Sequence, residues 1–306
     1  MKPIILELDG KHIVYYKNHV DIEGFFWNIS NNVDAMSDFL KDRGISPSLW
    51  QHFLKLIESG ESNSILEDPS RLYRFILNYA EAVGDDPVLR QIVLDAKDSY
   101  YVLSYCEYTQ YSDPDMRQII LNTNSPVYAY YWCFGVKNDD DMRQIIIDSK
   151  NPRWAYEYSS RISNDDDMRQ VIIDSGDTEW IVRYCASVEK NEQMRQMALD
   201  ANDAQEACRY CQWVDDSDNE MRQIILDKND PQWALEYYSE VRADDDMRNI
   251  ILSANNPEWA YKYCYYVNID EDMRNIILSS NSREWAFEFY VNVEQDPQMR
   301  EIVLRD

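Results

Sequence analysis

Residues 139–162 read DDDMRQIIIDSKNPRWAYEYSSRI, and this stretch is the unit from which most of the chain is built. Its Arg143 belongs to an arginine column whose members are Arg90, Arg117, Arg143, Arg169, Arg195, Arg222, Arg248, Arg274 and Arg300. The step between neighbouring arginines is 26 residues six times and 27 residues twice. A strict period in this range is typical of a solenoid, in which each repeat buries its apolar face only against its neighbours.

Each repeat contains start signals for two helices when positions are counted from the arginine as zero. N-cap residues, whose side-chain oxygen accepts a free backbone N–H, stand at positions −4 and +8. Those at −4 are Asp86, Asp113, Asp139, Asp165, Asn191, Asp218, Asp244, Asp270 and Asp296. Those at +8 are Asp98, Ser125, Asn151, Asp177, Asp203, Asp230, Asn256 and Ser282. Proline often follows the cap, at the helix position where its missing N–H costs nothing. The pattern predicts a helix A of about ten residues and a helix B of about eleven.

The apolar positions agree with these boundaries. Helix A is apolar at −1, +2, +3 and +4, as in Met142 and residues 145–147. Helix B carries apolar residues at +12, +15, +16 and +19, a spacing that places them on one helix face, towards helix A. One such set is Ala260, Tyr263, Cys264 and Val267. An aromatic residue at +11 is expected to contact the next helix B; these residues are Tyr101, Tyr128, Trp154, Trp180, Trp233, Trp259 and Trp285. The sequence therefore predicts a mainly α fold, an α-α solenoid of about eight 26-residue repeats.

Residues 1–66 lack the repeat and are expected to form a small α+β capping domain before a solenoid domain of residues 67–306. Asp9-Gly10 is a strong two-residue turn signal and predicts a hairpin of residues 4–8 and 11–16. A lone hairpin is marginal in water, so we expect a third strand near residues 25–29. Helices are predicted over residues 32–43 and 47–59. A ninth helix A, at residues 296–306, has no partner helix and is expected to be open or to meet a second copy in a homo-oligomer.

The formal net charge of −26 limits the function classes. It opposes direct binding of nucleic acid or an anionic membrane surface, because the electrostatic attraction has the wrong sign. A protein partner with a basic surface is favoured instead. No run approaches the roughly 18 apolar residues of a membrane span, and MKPIILELDG is interrupted by acidic residues before a secretory core can form. We therefore expect a soluble, cytoplasmic protein.

Cysteines and histidines give little sign of chemistry. Five of the six cysteines occupy position +16, which predicts small, buried, reduced core residues; they are Cys106, Cys133, Cys185, Cys211 and Cys264. Cys208 and Cys211 form a single CxxC with no second pair, which is weak evidence for a metal or redox site. The three histidines all lie in residues 1–52, and no glycine-rich phosphate loop is present. We predict a non-catalytic protein with no cofactor and no metal.

Helix pairs, a proline near the start of helix B and an Asp at the turn are features of a known architecture. Over about 240 residues the chain resembles the HEAT-like α-solenoids and, in the shortness of its repeat, the leucine-rich-variant type. That resemblance implies a curved scaffold whose faces hold proteins, peptides or nucleic acid.

The arginine column is interpreted as a structural ladder. Asp or Asn stands at +5 in six repeats, and each guanidinium is expected to reach a carboxylate of its own or the adjacent repeat. These candidates are Asp95, Asn122, Asp148, Asp174, Asp200 and Asp227. The alternative is a row of arginines that reads a ligand.

The turns between helix B and the following helix A concentrate acid on one edge of the stack, which we call the acidic edge. Its residues are Asp139, Asp140, Asp141, Asp165, Asp166, Asp167, Asp215, Asp216, Asp244, Asp245, Asp246, Asp270, Glu271 and Asp272. One carboxylate per turn suffices for capping and contributes a few tenths to about 1 kcal/mol. The surplus predicts docking on a basic groove, as in an acidic nucleic-acid mimic that inhibits a nucleic-acid-handling or defence enzyme, for example a viral anti-defence factor. Repeats about 8 to 10 Å apart cannot match single phosphates, so only the overall potential could be copied.

A second surface offers an alternative. Positions +14, +17 and +18 of helix B point away from helix A and vary between repeats, as a ligand-fitted surface would. The aromatic residues there, which we call the aromatic face, are Tyr108, Tyr131, Phe134, Trp213, Tyr265 and Tyr266. Exposed aromatic residues are typical interface anchors. In this interpretation the chain is an adaptor that binds a protein or peptide through the aromatic face, and the acid serves only solubility.

Overall fold

A computed structural model describes the backbone of residues 4–8, 11–16, 19–22 and 25–28, together with residues 77, 80, 81, 84, 85 and 87–305. The chain packs as two compact units, Met1–Ser149 and Lys150–Asp306. The division falls in the turn between helix A and helix B of the third repeat. The predicted boundary between residues 66 and 67 lies outside the described residues.

The first unit begins with a four-stranded antiparallel sheet in the order β1-β2-β3-β4. Its strands are β1 Ile4–Leu8, β2 Lys11–Tyr16, β3 His19–Ile22 and β4 Phe25–Asn28. Leu8 pairs with Lys11 in antiparallel register, which confirms the predicted hairpin of residues 4–8 and 11–16. The predicted strand near residues 25–29 is present as β4, whereas β3 was not predicted. The helices predicted over residues 32–43 and 47–59 lie outside the described residues.

Every helix of the described repeats falls where the caps place it. In the first unit the helices are α1 Pro87–Ala96, α2 Ser99–Thr109, α3 Pro114–Asn122, α4 Pro126–Gly135 and α5 Asp140–Asp148. In the second unit they are α6 Pro152–Arg161, α7 Asp166–Ser175, α8 Thr178–Ser187, α9 Glu192–Ala201, α10 Ala204–Trp213, α11 Asn219–Lys228, α12 Pro231–Glu240, α13 Asp245–Ser253, α14 Pro257–Tyr266, α15 Glu271–Ser280, α16 Arg283–Asn292 and α17 Pro297–Leu304. Odd numbers are helices A and even numbers are helices B. The helices pack in tandem within each unit, as in an α-solenoid, which confirms the predicted fold class.

Side-chain capping starts nearly all of these helices. Asp139, for example, accepts the backbone N–H groups of Asp141 and Met142. Ser125 occupies its cap position without a side-chain capping bond. The predicted cap Asp86 lies outside the described residues. The local sequence therefore marks where these helices start.

Each helix A except α17 is followed by a left-handed residue at position +7. These residues are Lys97, Asn124, Lys150, Gly176, Asn202, Asn229, Asn255 and Asn281, with φ between 46° and 65°. Asn and Gly tolerate this conformation better than other residues do, which explains why asparagine dominates the column. The reversal redirects the chain at once into the N-cap of helix B.

The core of each repeat is a column of large residues between the two helices. Position +15 of helix B holds a buried aromatic residue, and Trp132, Tyr184, Tyr237 and Phe289 are fully enclosed. Met at −1 and Ala at +12 are equally buried in most repeats. Each helix B packs most closely against the helix A of the following repeat rather than that of its own. The structural module is therefore shifted by one helix from the sequence repeat.

Two of the aromatic residues at +11, Trp180 and Trp285, contact a ring of the preceding helix B, whereas contact with the next helix B was predicted for this position. Trp180 lies 5.5 Å from Tyr156, and Trp285 lies 5.7 Å from Tyr261, between ring centroids. In one repeat the residue at +11 is Glu206, which is buried. Its Oε1 accepts a hydrogen bond from Arg209 Nη1 at 2.6 Å. Burial raises the pKa of the Glu206 carboxyl. The pairing holds Arg209 near the Trp213 ring, with 5.8 Å from guanidinium to centroid.

The left-handed column yields a reciprocal stability test. We expect Lys150→Gly to raise the free energy of unfolding by about 0.5–1 kcal/mol, because glycine removes the steric cost of φ 51°. Gly176→Ala should lower it by a similar amount, since a Cβ there meets no atom within 4 Å and only the backbone conformation resists. Chemical denaturation measures both. Equal effects of both substitutions in the same direction would contradict this account.

Candidate functional site

The arginine column forms a ladder between successive helices A. The guanidinium of Arg222 binds Asp244, the N-cap of the next helix A, through Nε at 2.6 Å and Nη2 at 2.8 Å. Its Nη2 also reaches Asp246 at 2.6 Å. Arg117, Arg195 and Arg248 repeat this arrangement with the pairs Asp139 and Asp141, Asp218 and Glu220, and Asp270 and Asp272. Arg274 binds Asp296 and Gln298 in the same positions.

The predicted partner of the ladder was wrong. The Asp and Asn side chains at +5 do not bind the arginines; each accepts a hydrogen bond from the glutamine at +1 of the same helix. Gln223 Nε2, for instance, donates to Asp227 Oδ1 at 2.7 Å. The other pairs are Gln91 with Asp95, Gln118 with Asn122, Gln144 with Asp148, Gln170 with Asp174 and Gln196 with Asp200. The +5 side chain lies one turn from +1 on the same helix face, whereas the arginine reaches across to the next repeat.

An asparagine cap redirects the ladder. The next N-cap after Arg169 is Asn191, which has no charge to offer. Arg169 instead binds Glu189 at 2.6 Å and Asp166 of its own helix at 2.7 Å. Its interactions show that the ladder selects a carboxylate rather than any cap residue.

The ladder shifts the titration of the capping carboxylates. The hydrogen bonds from Arg222 hold the pKa of the Asp244 carboxyl below its ordinary value, and Arg117 does the same for Asp139. Each of these carboxylates also accepts backbone N–H groups at its own helix start, which favours the ionised form further. Both side chains are less than a tenth exposed.

The carboxylates of the acidic edge differ in their surroundings. Those at −4 are partly buried caps, and Asp246 at −2 is exposed but bound by the same arginine as the cap Asp244. The Asp215 carboxylate accepts a hydrogen bond from the Ser217 hydroxyl and lies 3.5 Å from Lys190 Nζ. At the remaining positions, Asp166 and Glu271 pair with an arginine of their own helix. In the described part of the chain no hydrogen bond or ion pair joins the side chains of Asp140, Asp216 or Asp245 to another group, and all three are exposed.

The predicted aromatic face is exposed at all six positions, between 42% and 65% of each residue's surface. In the first unit Phe134 stacks on the buried Tyr130, with 5.8 Å between ring centroids, and Tyr131 meets the same ring edge-on. In the second unit Tyr265 meets Tyr266 edge-on at 4.9 Å and lies 5.8 Å from Tyr261. In the first unit the aromatic face consists of residues of α2 and α4. In the second unit it consists of Trp213 and two tyrosines of α14.

Several exposed apolar residues were not predicted. Tyr100 occupies position +10 of α2, and Phe287 and Val291 lie one turn apart on α16. Phe287 is at +13, which is buried in most other repeats by the following helix B. No described helix B follows α16, so that side chain is half exposed. This exposure could have been predicted from the place of α16 as the last described helix B of its unit.

The six cysteines are buried and free, as predicted. Sγ of Cys133, Cys185, Cys211 and Cys264 lies 3.8–4.0 Å from the backbone carbonyl oxygen of the next helix A cap. Burial raises the pKa of Cys208 and Cys211 to about 12, which disfavours the reactive thiolate at this CxxC. These residues therefore act in packing.

Among the described residues no group of three or more His, Cys, Asp or Glu side chains is placed to hold a metal ion. None of the helices in that part of the chain has the length and apolar character needed to span a membrane.

The fold and its two surfaces define the class: a tandem helix-pair repeat protein whose repeats are joined by an arginine–carboxylate ladder. Comparison with known proteins gives no match to a family model, a curated protein or a solved structure.

The ladder can be measured with a double-mutant cycle of Arg222→Gln and Asp244→Asn. Asparagine remains a good N-cap, so the cycle isolates the ion pair from the capping bond. We expect a coupling free energy of about 1–3 kcal/mol at neutral pH, by denaturant unfolding. Because the folded-state pKa of Asp244 lies below its unfolded value, the coupling is present above the unfolded-state pKa. It is lost as the pH falls through the folded-state pKa.

Asp245→Asn provides the matched control, because Asp245 is exposed and unpaired on the same turn. Its effect should stay within about 0.5 kcal/mol. A coupling free energy near zero for Arg222 and Asp244 would show that the ladder does not stabilise the stack.

Proposed function

We propose that this protein is a non-catalytic binding scaffold that docks a partner protein through the aromatic face of its B helices. The observation that carries the proposal is the exposure of Tyr and Trp side chains at positions where the fold requires no aromatic residue. Large aromatic side chains supply contact area at low conformational-entropy cost, which suits them to anchor an interface. The resemblance to HEAT-like scaffolds supports the same class of function.

The partner we propose has a basic surface. Even after the ladder arginines are counted, the chain has a net charge of −26, so long-range attraction favours positively charged proteins. Such attraction raises association rates more than it raises final affinity. The aromatic face would then provide the contacts that keep the attracted protein bound.

A second candidate function is capture by the acidic edge, including inhibition of a nucleic-acid-handling or defence enzyme by an acidic mimic. It is supported by the three exposed, unpaired carboxylates Asp140, Asp216 and Asp245. The carboxylates at −4 support it less, because arginines of the same chain already bind them. Only part of the acidic edge is available to a partner.

A self-association proposal concerns the end of the second unit. Leu304 of α17 and the α16 pair Phe287 and Val291 are exposed there. We propose that a second copy covers this apolar group. Light scattering should give a dimer mass that Phe287→Ser together with Val291→Ser reduces to the monomer mass; a monomer in the unaltered chain would exclude the idea.

Partner capture by the immobilised full chain separates the two docking surfaces. We expect proteins held through the aromatic face to remain bound between about 0.05 and 0.5 M salt, since screening weakens exposed charge pairs and not apolar contacts. Tyr265→Ala with Tyr266→Ala, and Tyr131→Ala with Phe134→Ala, should each reduce capture at least about tenfold, as loss of interface anchors does. Quantitative mass spectrometry of the bound proteins is the measurement.

The matched variant for the acidic edge is Asp140→Lys with Asp216→Lys and Asp245→Lys, which spares every ladder residue. If this variant abolishes capture and the aromatic variants do not, the acidic candidate replaces the aromatic one. If neither the aromatic variants nor the lysine variant changes partner capture, both candidate functions are wrong.

A further inference from the structure

Glu107 and Gly135 make an unusually close contact between two helices B of the first unit. Glu107 lies near the end of α2, and Gly135 is the last residue of α4. A Cβ on Gly135 would lie 2.6 Å from Glu107 Oε1 and 2.8 Å from its Cγ. A Cβ at position 135 would therefore force the Glu107 side chain to move from this position. Gln110 Nε2 donates to the backbone carbonyl oxygens of Glu107 and Gly135, at 2.6 and 3.2 Å, and so ties the two helix ends together.

The Glu107 carboxylate is half-buried in this contact yet has no cation beside it. No described side chain forms an ion pair or hydrogen bond with its oxygens. It also lies at the carboxyl end of α4, where the helix dipole disfavours a negative charge. Burial raises the pKa of the Glu107 carboxyl. Elsewhere in the repeats buried carboxylates are matched with arginine, so this one departs from the rule of the fold.

Exposed aromatic residues occupy positions next to this contact on α2 and α4. Tyr131 is four residues before Gly135 on α4, so the two positions share one helix face, one turn apart. Phe134 and Tyr108 flank Gly135 and Glu107 in sequence, and all three rings are exposed. A carboxylate beside the electron-rich faces of aromatic rings is the arrangement that attracts ammonium and guanidinium groups.

We propose that Glu107, backed by Gly135 and flanked by Tyr108, Tyr131 and Phe134, is the binding site for a single lysine or arginine side chain of the partner protein. The site rests on the proposed function of the aromatic face and names the chemistry of one contact within it. The incoming cation would supply the missing charge partner of Glu107, while its aliphatic stem packs on the rings. A free metal ion fits less well, because one carboxylate gives too few oxygen ligands.

Synthetic tripeptides test the site with the full-length chain. The probes are acetyl-Ala-Lys-Ala-amide, its arginine counterpart and its norleucine counterpart, at a fixed 0.15 M salt. We expect the lysine and arginine peptides to bind at least about tenfold more tightly than the norleucine peptide, as one shielded charge pair allows. Saturation-transfer NMR gives the dissociation constants in this weak range. Glu107→Gln should lower the cationic affinities to the norleucine value.

Glu240→Gln is the control, since Glu240 is an exposed carboxylate at the end of α12. It should leave all three affinities within about twofold. Gly135→Ala keeps every charge but displaces Glu107, and should weaken the cationic peptides specifically. Circular dichroism establishes that each variant is folded.

Equal losses in Glu107→Gln and Glu240→Gln would mean diffuse attraction and would overturn the site. Equal binding of the norleucine peptide would do the same. If Tyr131→Ala weakens binding of the norleucine peptide while Glu107→Gln changes no peptide affinity, the aromatic face binds peptides but contains no cation site. If partner capture is unchanged by every aromatic variant but the lysine preference persists, the proposed function fails and the cation site remains.

Discussion

The carboxylate at the start of a helix A bonds in two directions, and the stack depends on this. Oδ1 of Asp244 accepts the first free N–H groups of its own helix, while both oxygens receive the guanidinium of Arg222 one repeat earlier. Helix initiation and repeat-to-repeat attachment are therefore a single interaction. A planar guanidinium fixes both the distance and the direction of its bidentate partner, which lysine could not do. The near-constant repeat length agrees with this, and the one extra residue between Arg195 and Asp218 is accommodated without loss of the bidentate pair.

This arrangement divides the acidic charge into a part that the fold uses and a part that it does not. Position −4 must be acidic to bind the preceding arginine, and position −2 adds a second carboxylate to the same guanidinium. Where the cap is Asn191, the arginine turns to Glu189 instead. Asp140 and Asp245 at −3 meet neither requirement. The dense acid of the turns is thus mainly a consequence of the ladder, with a smaller remainder that is free to act on other molecules.

Local patterns in the sequence were sufficient for the helices but not for the ladder. Caps, prolines and the 3.6-residue apolar spacing are properties of neighbouring residues, so helix starts could be predicted directly. The partner of each arginine depends on which columns meet between repeats, and two acidic columns satisfied the sequence equally well. The glutamine at +1 was the missing clue, because it already occupies the carboxylate at +5 one turn away. The short strand β3 has too few residues for a clear alternation, and the asparagine column at +7 was a turn signal that helix periodicity does not reveal.

Positions at which one repeat differs from the others are the best places to look for function. At the exposed end of helix B the fold accepts Ser160 and Arg161, or Ser239 and Glu240, without loss of packing. Aromatic residues at the same positions in other repeats therefore answer no demand of the core, and exposed apolar surface carries a cost in solubility. Glu107 adds an unbalanced charge, and Gly135 is the glycine that admits it. A set of residues that weakens the free molecule in several ways at one place is what we expect of the proposed partner-binding surface.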